Sequence, residues 1–101
     1  MNQQGFQLLG LAMRAGKVIS GEEIVITGIR KGQVKLVFLS QDASENTAKK
    51  VLDKAKTYQV SVTTVPTRDV LGRAIGKDQR VVVGVTDLGF ARKLYSLCEN
   101  E

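Results

Sequence analysis

Glu22 and Glu23 are adjacent carboxylates behind Ser20-Gly21, and Lys77-Asp78-Gln79-Arg80 is a second polar cluster behind Gly76. Carboxylates that cleave a bond must face each other across it, whereas neighbours on a helix point in diverging directions, so Glu22 and Glu23 make no acid–base pair. Their spacing suits hydrogen bonding instead. Ser20 through Glu23 reads as a capping box, in which the Ser20 hydroxyl accepts from the Glu23 amide and the Glu23 carboxylate reaches back to the Ser20 amide. The chain has no histidine and a single cysteine, Cys98. That excludes an ordinary zinc site and a Cys-His or Ser-His nucleophile. Gly72-Arg73-Ala74-Ile75-Gly76-Lys77 lacks the four-residue gap and the Lys-Ser/Thr ending of a nucleotide triphosphate loop. No cofactor is expected.

The charge balance indicates the partner class. The 101 residues carry fifteen Lys and Arg against ten Asp and Glu, a formal net charge of +5, and the isoelectric point is near 9.6. Such a balance favours polyanions over acidic proteins or neutral metabolites, with nucleic acid first among them. The length suits one domain over residues 1–101, so any function sits on one compact module. Cys98 beside Leu94 and Leu97 reads as a packed thiol of a reducing, cytoplasmic compartment. Phe6 to Met13 is apolar but short, follows no basic segment and runs into Arg14 and Gly16, so neither a signal peptide nor a membrane span is expected.

The elements that position these clusters follow from periodicity. Phe6, Leu9 and Met13 form a helical stripe ended by Gly16, and Lys17-Val18-Ile19 is a short strand. The capping box predicts a helix from Gly21 to Lys31 despite the β-branched run Ile24-Val25-Ile26, with Ile29 on its buried face. Gly32 turns the chain into an apolar strand through Leu39 and Ser40. Ala48, Val51, Leu52 and Ala55 define an amphipathic helix, with Lys49, Lys50, Lys54 and Lys56 at its non-core positions. Val60 to Val65 alternates as a strand and stops at Pro66, and Thr67 caps a short helix closed by Gly76. Val81 to Val85 is apolar throughout, as in a central strand covered on both faces. Thr86 or Asp87 caps a last helix through Cys98. Helices and strands alternate throughout, which predicts an α/β fold, a three-layer α/β/α sandwich around a four-stranded mixed sheet whose strand order is open. Function in such folds sits in loops at one sheet edge, and Lys17 to Glu23 and Gly76 to Arg80 are the glycine-marked candidates.

Taken together, three passages carry a resemblance. Ala15-Gly16-Lys17-Val18-Ile19-Ser20-Gly21-Glu22-Glu23 and the run from Gly32 to Asp42 are followed by Leu71-Gly72-Arg73-Ala74-Ile75-Gly76, the basic loop and the valine strand. In this order they resemble the ribosomal L-seven-Ae and L-thirty-e family of kink-turn RNA-binding proteins, over nearly the whole chain.

The resemblance implies an L-thirty-e-like α/β/α fold that holds sharply kinked, noncanonically paired RNA at the start of the second helix and at the loop before the last strand. Under it, Ser20, Gly21, Glu22, Glu23 and Thr27 meet the RNA from the helix, and Ile75 and Gly76 pack under an unstacked base. Lys17, Lys31, Lys77 and Arg80 neutralise phosphates crowded at the bend. Ile24 and Thr27 depart from the family pattern, which carries an acidic or amide residue at the first position and a lysine at the second. Thr27 supplies no ammonium to a phosphate, so an altered RNA preference is expected. The reading that follows is a non-enzymatic, monomeric, cytoplasmic RNA-binding protein, ribosome-associated or ribosomal-protein-like, with no membrane partner. The alternative is a protein-binding adaptor on the same fold. A substrate-binding piece of an RNA ribose methyltransferase is a third reading, but 101 residues leave no room for its catalytic domain.

Overall fold

The computed structural model describes residues 1–99. In chain order the elements are α1 (Gln3–Arg14), β1 (Val18–Ser20), α2 (Glu22–Arg30), β2 (Leu36–Ser40), α3 (Glu45–Thr57), β3 (Ser61–Val65), α4 (Arg68–Ala74), β4 (Val82–Val85) and α5 (Leu88–Glu99). The strands form one mixed sheet in the order β1-β4-β2-β3, with β4 antiparallel to both neighbours and β2 parallel to β3.

Alternation along the two central strands divides the core. Leu36 and Phe38 of β2 and Val83 and Val85 of β4 face one side, where they pack with Leu9 of α1, Leu71 of α4 and Leu94 of α5. Val37, Leu39 and Val82 face the other, against Val25, Ile26 and Ile29 of α2 and Val51 and Ala55 of α3. The successive side chains of a strand point to opposite faces, so a strand buried along its whole length must be apolar at every position. All five residues of β2 and all four of β4 are buried. The result is the expected α/β/α sandwich, with α1, α4 and α5 on one face and α2 and α3 on the other.

Local chemistry fixes the helix starts. Ser44 Oγ accepts from the Thr47 amide at 3.2 Å and Thr67 Oγ1 from the Val70 amide at 3.2 Å. Asp87, rather than Thr86, caps α5, its Oδ2 accepting from the Phe90 amide at 2.9 Å. The first helix begins before its apolar stripe because Asn2 Oδ1 takes the Gly5 amide at 2.7 Å. Pro66 follows β3, which is an edge strand, as a residue without an amide donor requires.

The capping box at Ser20 does not form. Ser20 is the last residue of β1, paired with Val83 of β4, and Gly21 takes the N-cap position with no side-chain hydrogen bond to the helix. The strand register decides this. Pairing extends one residue further, through the Gly21 amide to the Val82 carbonyl at 3.0 Å, and Gly21 must then turn from strand to helix at φ 109°, ψ 145°. An L side chain rarely occupies that region, so glycine makes the junction. The helix therefore spans Glu22–Arg30, one residue shorter at each end than the sequence suggests, with Ile29 fully buried as expected.

Candidate functional site

The strand order brings several helix starts to one end of the sheet. Because β4 is antiparallel to β1 and β2, the start of β4 lies beside the ends of β1 and β2, and β3 ends on the same side. The starts of α2, α3 and α4 and the 77–81 segment are consequently neighbours, the arrangement in which open α/β sheets bind ligands.

Between them lies a cleft of about 300 Å³ lined by Gly21, Glu22, Ser44, Thr47, Arg68, Val81 and Val82. Val81 and Val82 give it an apolar floor beside the Gly21 backbone, and its walls carry a carboxylate, two hydroxyls and a guanidinium. That combination accepts a flat heterocycle whose edge needs donors and acceptors. With no side chain capping α2, the amides of its first turn face this end of the molecule.

Two ionic contacts shape the walls. The Thr47 hydroxyl donates to Glu22 Oε1 at 2.6 Å, and Lys50 Nζ lies 3.4 Å from Oε2. The Thr47 hydroxyl first, and then Lys50, hold the Glu22 carboxyl below its ordinary pKa, so it is charged at neutral pH. Across the cleft, the Arg68 amide donates to both Asp42 carboxylate oxygens at 3.2 Å, and Arg68 Nη2 donates to the Asp42 carbonyl at 2.7 Å. The Asp42 carboxyl is also lowered, first by the Ser40 hydroxyl and then by Arg68. Ser40 Oγ is buried and meets no partner at full hydrogen-bonding geometry. The Arg68 contacts, which meet that geometry, define the local structure.

The loop from Gly76 to Arg80 is strapped to α4. The Lys77 amide donates to the Gly72 carbonyl at 2.9 Å and the Arg80 amide to the Arg68 carbonyl at 3.1 Å. Gln79 Nε2 reaches Asp69 Oδ1 at 3.1 Å, and Arg80 Nη1 folds onto the Gln79 carbonyl at 2.7 Å. Gly72 permits the contact, since a Cβ there would lie 1.4 Å from the Asp78 carbonyl oxygen. Lys77 is exposed at the Gly72 end of the loop, beside Arg73, and Arg80 at the other end is bonded to Arg68.

Of the residues singled out from sequence, Ser20, Gly21, Glu22, Glu23 and Arg80 come together at or near this end, while Gly76 and Lys77 lie further along α4, beside Arg73. Glu22, however, is committed to α3, and Glu23 is the exposed carboxylate of the pair, with no hydrogen bond or ion pair among the described residues. Thr27 is exposed one turn beyond Glu23 on the same helix face. Lys17 and Lys31 do not join them. The Lys17 carbonyl accepts from the Thr86 amide beyond the end of β4, and Lys31 caps the far end of α2. That puts Lys31 about 13 Å along the helix from Glu22. Ile75 is 4% exposed, packs in the core with Leu9 and Leu71, and borders the surface between α1 and α4 rather than this cleft. Arg68, Ser44, Thr47, Val81 and Val82 line the cleft without having been picked out. Ser44 caps α3 and Arg68 directly follows the Thr67 cap of α4, but only the strand order shows that these turns meet.

The sequence matches the ribosomal protein L7Ae/L30e/S12e/Gadd45 family over residues 3–95. The chain belongs to this family. Among L7Ae-family relatives, the RNA-binding protein YlxQ of Bacillus subtilis (strain 168) is 61% identical over 94 residues, covering 93% of this chain and 94% of the relative. The RNA-binding protein YlxQ of Enterococcus faecium is 46% identical over 97 residues, covering 96% and 93%. A solved structure of a protein of unknown function from Bacillus halodurans C superposes with a TM-score of 0.94 at 51% identity, covering 97% of this chain and 99% of that one. The 15.5kD RNA binding protein of Giardia lamblia shares the fold at a TM-score of 0.78 and 15% identity, with 99% and 92% covered.

Proposed function

We propose that the chain is a non-enzymatic RNA-binding protein that holds sharply bent, noncanonically paired RNA at the cleft end of the sheet, in a cytosolic, ribosome-associated setting. The observation that carries this reading is the convergence of the uncapped α2 start, Arg68 and the Lys77–Arg80 loop around a valine-floored cleft. Open amides and guanidinium groups bind phosphate and base edges, and the apolar floor covers an unstacked base. Membership of the L7Ae/L30e/S12e/Gadd45 family and the YlxQ relatives, which are RNA-binding proteins by name, support it. No helix among the described residues is long and apolar enough to cross a membrane.

Titration with a standard kink-turn RNA, and with the same RNA in which Watson–Crick pairs replace the tandem G·A pairs, tests it. Tight binding to the first alone is expected. Equal binding to both, erased by salt, would reduce the interaction to nonspecific charge. One observation favours a second reading, a protein-binding adaptor: Ile24 is 58% exposed on α2, with Thr27 on the same face. Under that reading partner binding would persist at high salt and be lost in Ile24→Ser.

A further inference from the structure

A second concavity lies on the other side of α4 from the cleft. It is a groove of about 680 Å³ between α1 and the end of α4. Its floor is backbone, because α1 crosses α4 at Gly10, where a Cβ would lie 3.3 Å from the Ala74 carbonyl oxygen. Phe6 and Leu11 form its apolar walls, and Leu11 is 48% exposed. Arg14 and Arg73 stand at its rim, and the Arg14 guanidinium reaches back over Gly10. Both arginines are exposed, and among the described residues neither side chain makes a hydrogen bond or an ion pair. No acidic side chain lines the groove. Arg73 also borders the Lys77–Arg80 loop, with Asp69 and Asp78 beyond the groove, and the Arg80 amide at the end of that loop is bonded to Arg68 of the cleft.

An apolar slot with two unpaired guanidinium groups and no carboxylate is complementary to an aromatic ring attached to an anion. A duplex keeps its bases stacked and paired, out of reach of such a slot, whereas a single strand can place one base against Phe6 and Leu11 and its phosphates on the arginines. We propose that the α1–α4 groove is a second RNA subsite that takes single-stranded RNA. Such a subsite extends the RNA-binding reading of the cleft, on which it rests, to a strand running on from the bent duplex.

Two probes and two variants separate the sites. The probes are a blunt-ended kink-turn duplex and a labelled single-stranded oligouridine of about eight nucleotides. The variants are Arg14→Gln combined with Arg73→Gln, and Arg68→Gln at the cleft, each checked by thermal unfolding. Both rim arginines are exposed and neither side chain is in an ion pair, so the fold is retained. The groove variant is expected to weaken oligouridine binding by about tenfold or more and to leave the duplex unaffected, while Arg68→Gln does the reverse. Leu11→Ser, which removes a wall without touching charge, is expected to weaken oligouridine at unchanged salt dependence. Oligouridine binding insensitive to Arg14 and Arg73 would overturn the groove and leave it to a protein partner. A wild-type protein that binds the duplex and ignores oligouridine also overturns the groove while the cleft stands. Binding of oligouridine alone would overturn the cleft and keep the groove.

Discussion

The Glu22 carboxylate joins two helices, because the Thr47 hydroxyl and Lys50 of α3 both reach it from across the cleft. This tie depends on its charge. The folded protein holds the Glu22 carboxyl below its ordinary pKa, mainly through Thr47. A carboxyl lowered in this way contributes stability that is present above its unfolded pKa and lost as pH falls through its folded value. The group is only partly buried and solvent screens it, so the contribution is small. Glu22→Gln is therefore expected to lower the urea midpoint slightly at neutral pH, with the gap to wild type closing as pH falls through the carboxylate range. A gap independent of pH would mean that shape rather than charge matters at this position. From sequence, Glu22 and Glu23 are interchangeable polar residues at a helix start. Only the packing of α2 on α3 distinguishes them, by engaging Glu22 and leaving Glu23 exposed, and no local pattern encodes that difference.

At the scale of elements, the 77–80 loop owes its position to α4. Two backbone hydrogen bonds strap it down, and Gly72 lets the Asp78 carbonyl rest where a side chain would otherwise stand. Gly72→Ala pushes the loop outward, since a backbone oxygen cannot yield as a flexible side chain would. The substitution is expected to cost roughly 1–3 kcal/mol in stability, as overpacking does, and to weaken kink-turn RNA binding by displacing Lys77 and Arg80. Thermal unfolding and an RNA titration on the same variant check both effects. Lower stability with unchanged affinity would show that the loop's placement is not used. Helices and strands themselves were legible, because the apolar spacings at Ala48 to Ala55 and Val81 to Val85 reflect burial on one face or on both. The start of α2 was not. Ser20-Gly21-Glu22-Glu23 satisfies the capping rule, but the pairing of Ser20 with Val83 outweighs one side-chain cap.

Across the whole molecule, which carries a net charge of +5, the basic residues flanking the candidate loops are divided between the two ends of the sheet. Arg68 lines the cleft and Arg80 is bonded to its carbonyl, with Lys77 further along the same loop beside Arg73, whereas Lys17 and Lys31 lie at the other end. This division was hidden in the sequence because it follows from strand order: β4 enters between β1 and β2 and sets Gly21 beside Val82 and Lys17 beside Thr86. Lysines close in sequence to the α2 start thereby become remote in space. Bound RNA releases counterions only where cations meet phosphates, so the salt dependence of binding maps which end is occupied. Replacing Lys77 and Arg80 together by alanine is expected to reduce the slope of log affinity against log salt by about 1.4 to 1.8, the loss of two phosphate contacts. Replacing Lys17 and Lys31 together is expected to leave the slope unchanged, since RNA held at the cleft end is out of their reach. Equal effects from the two pairs would mean that RNA coats the basic surface without regard to the cleft. Unchanged slope in both would place the bound phosphates on neither pair, leaving the specific contacts to Arg68 and the α2 amides.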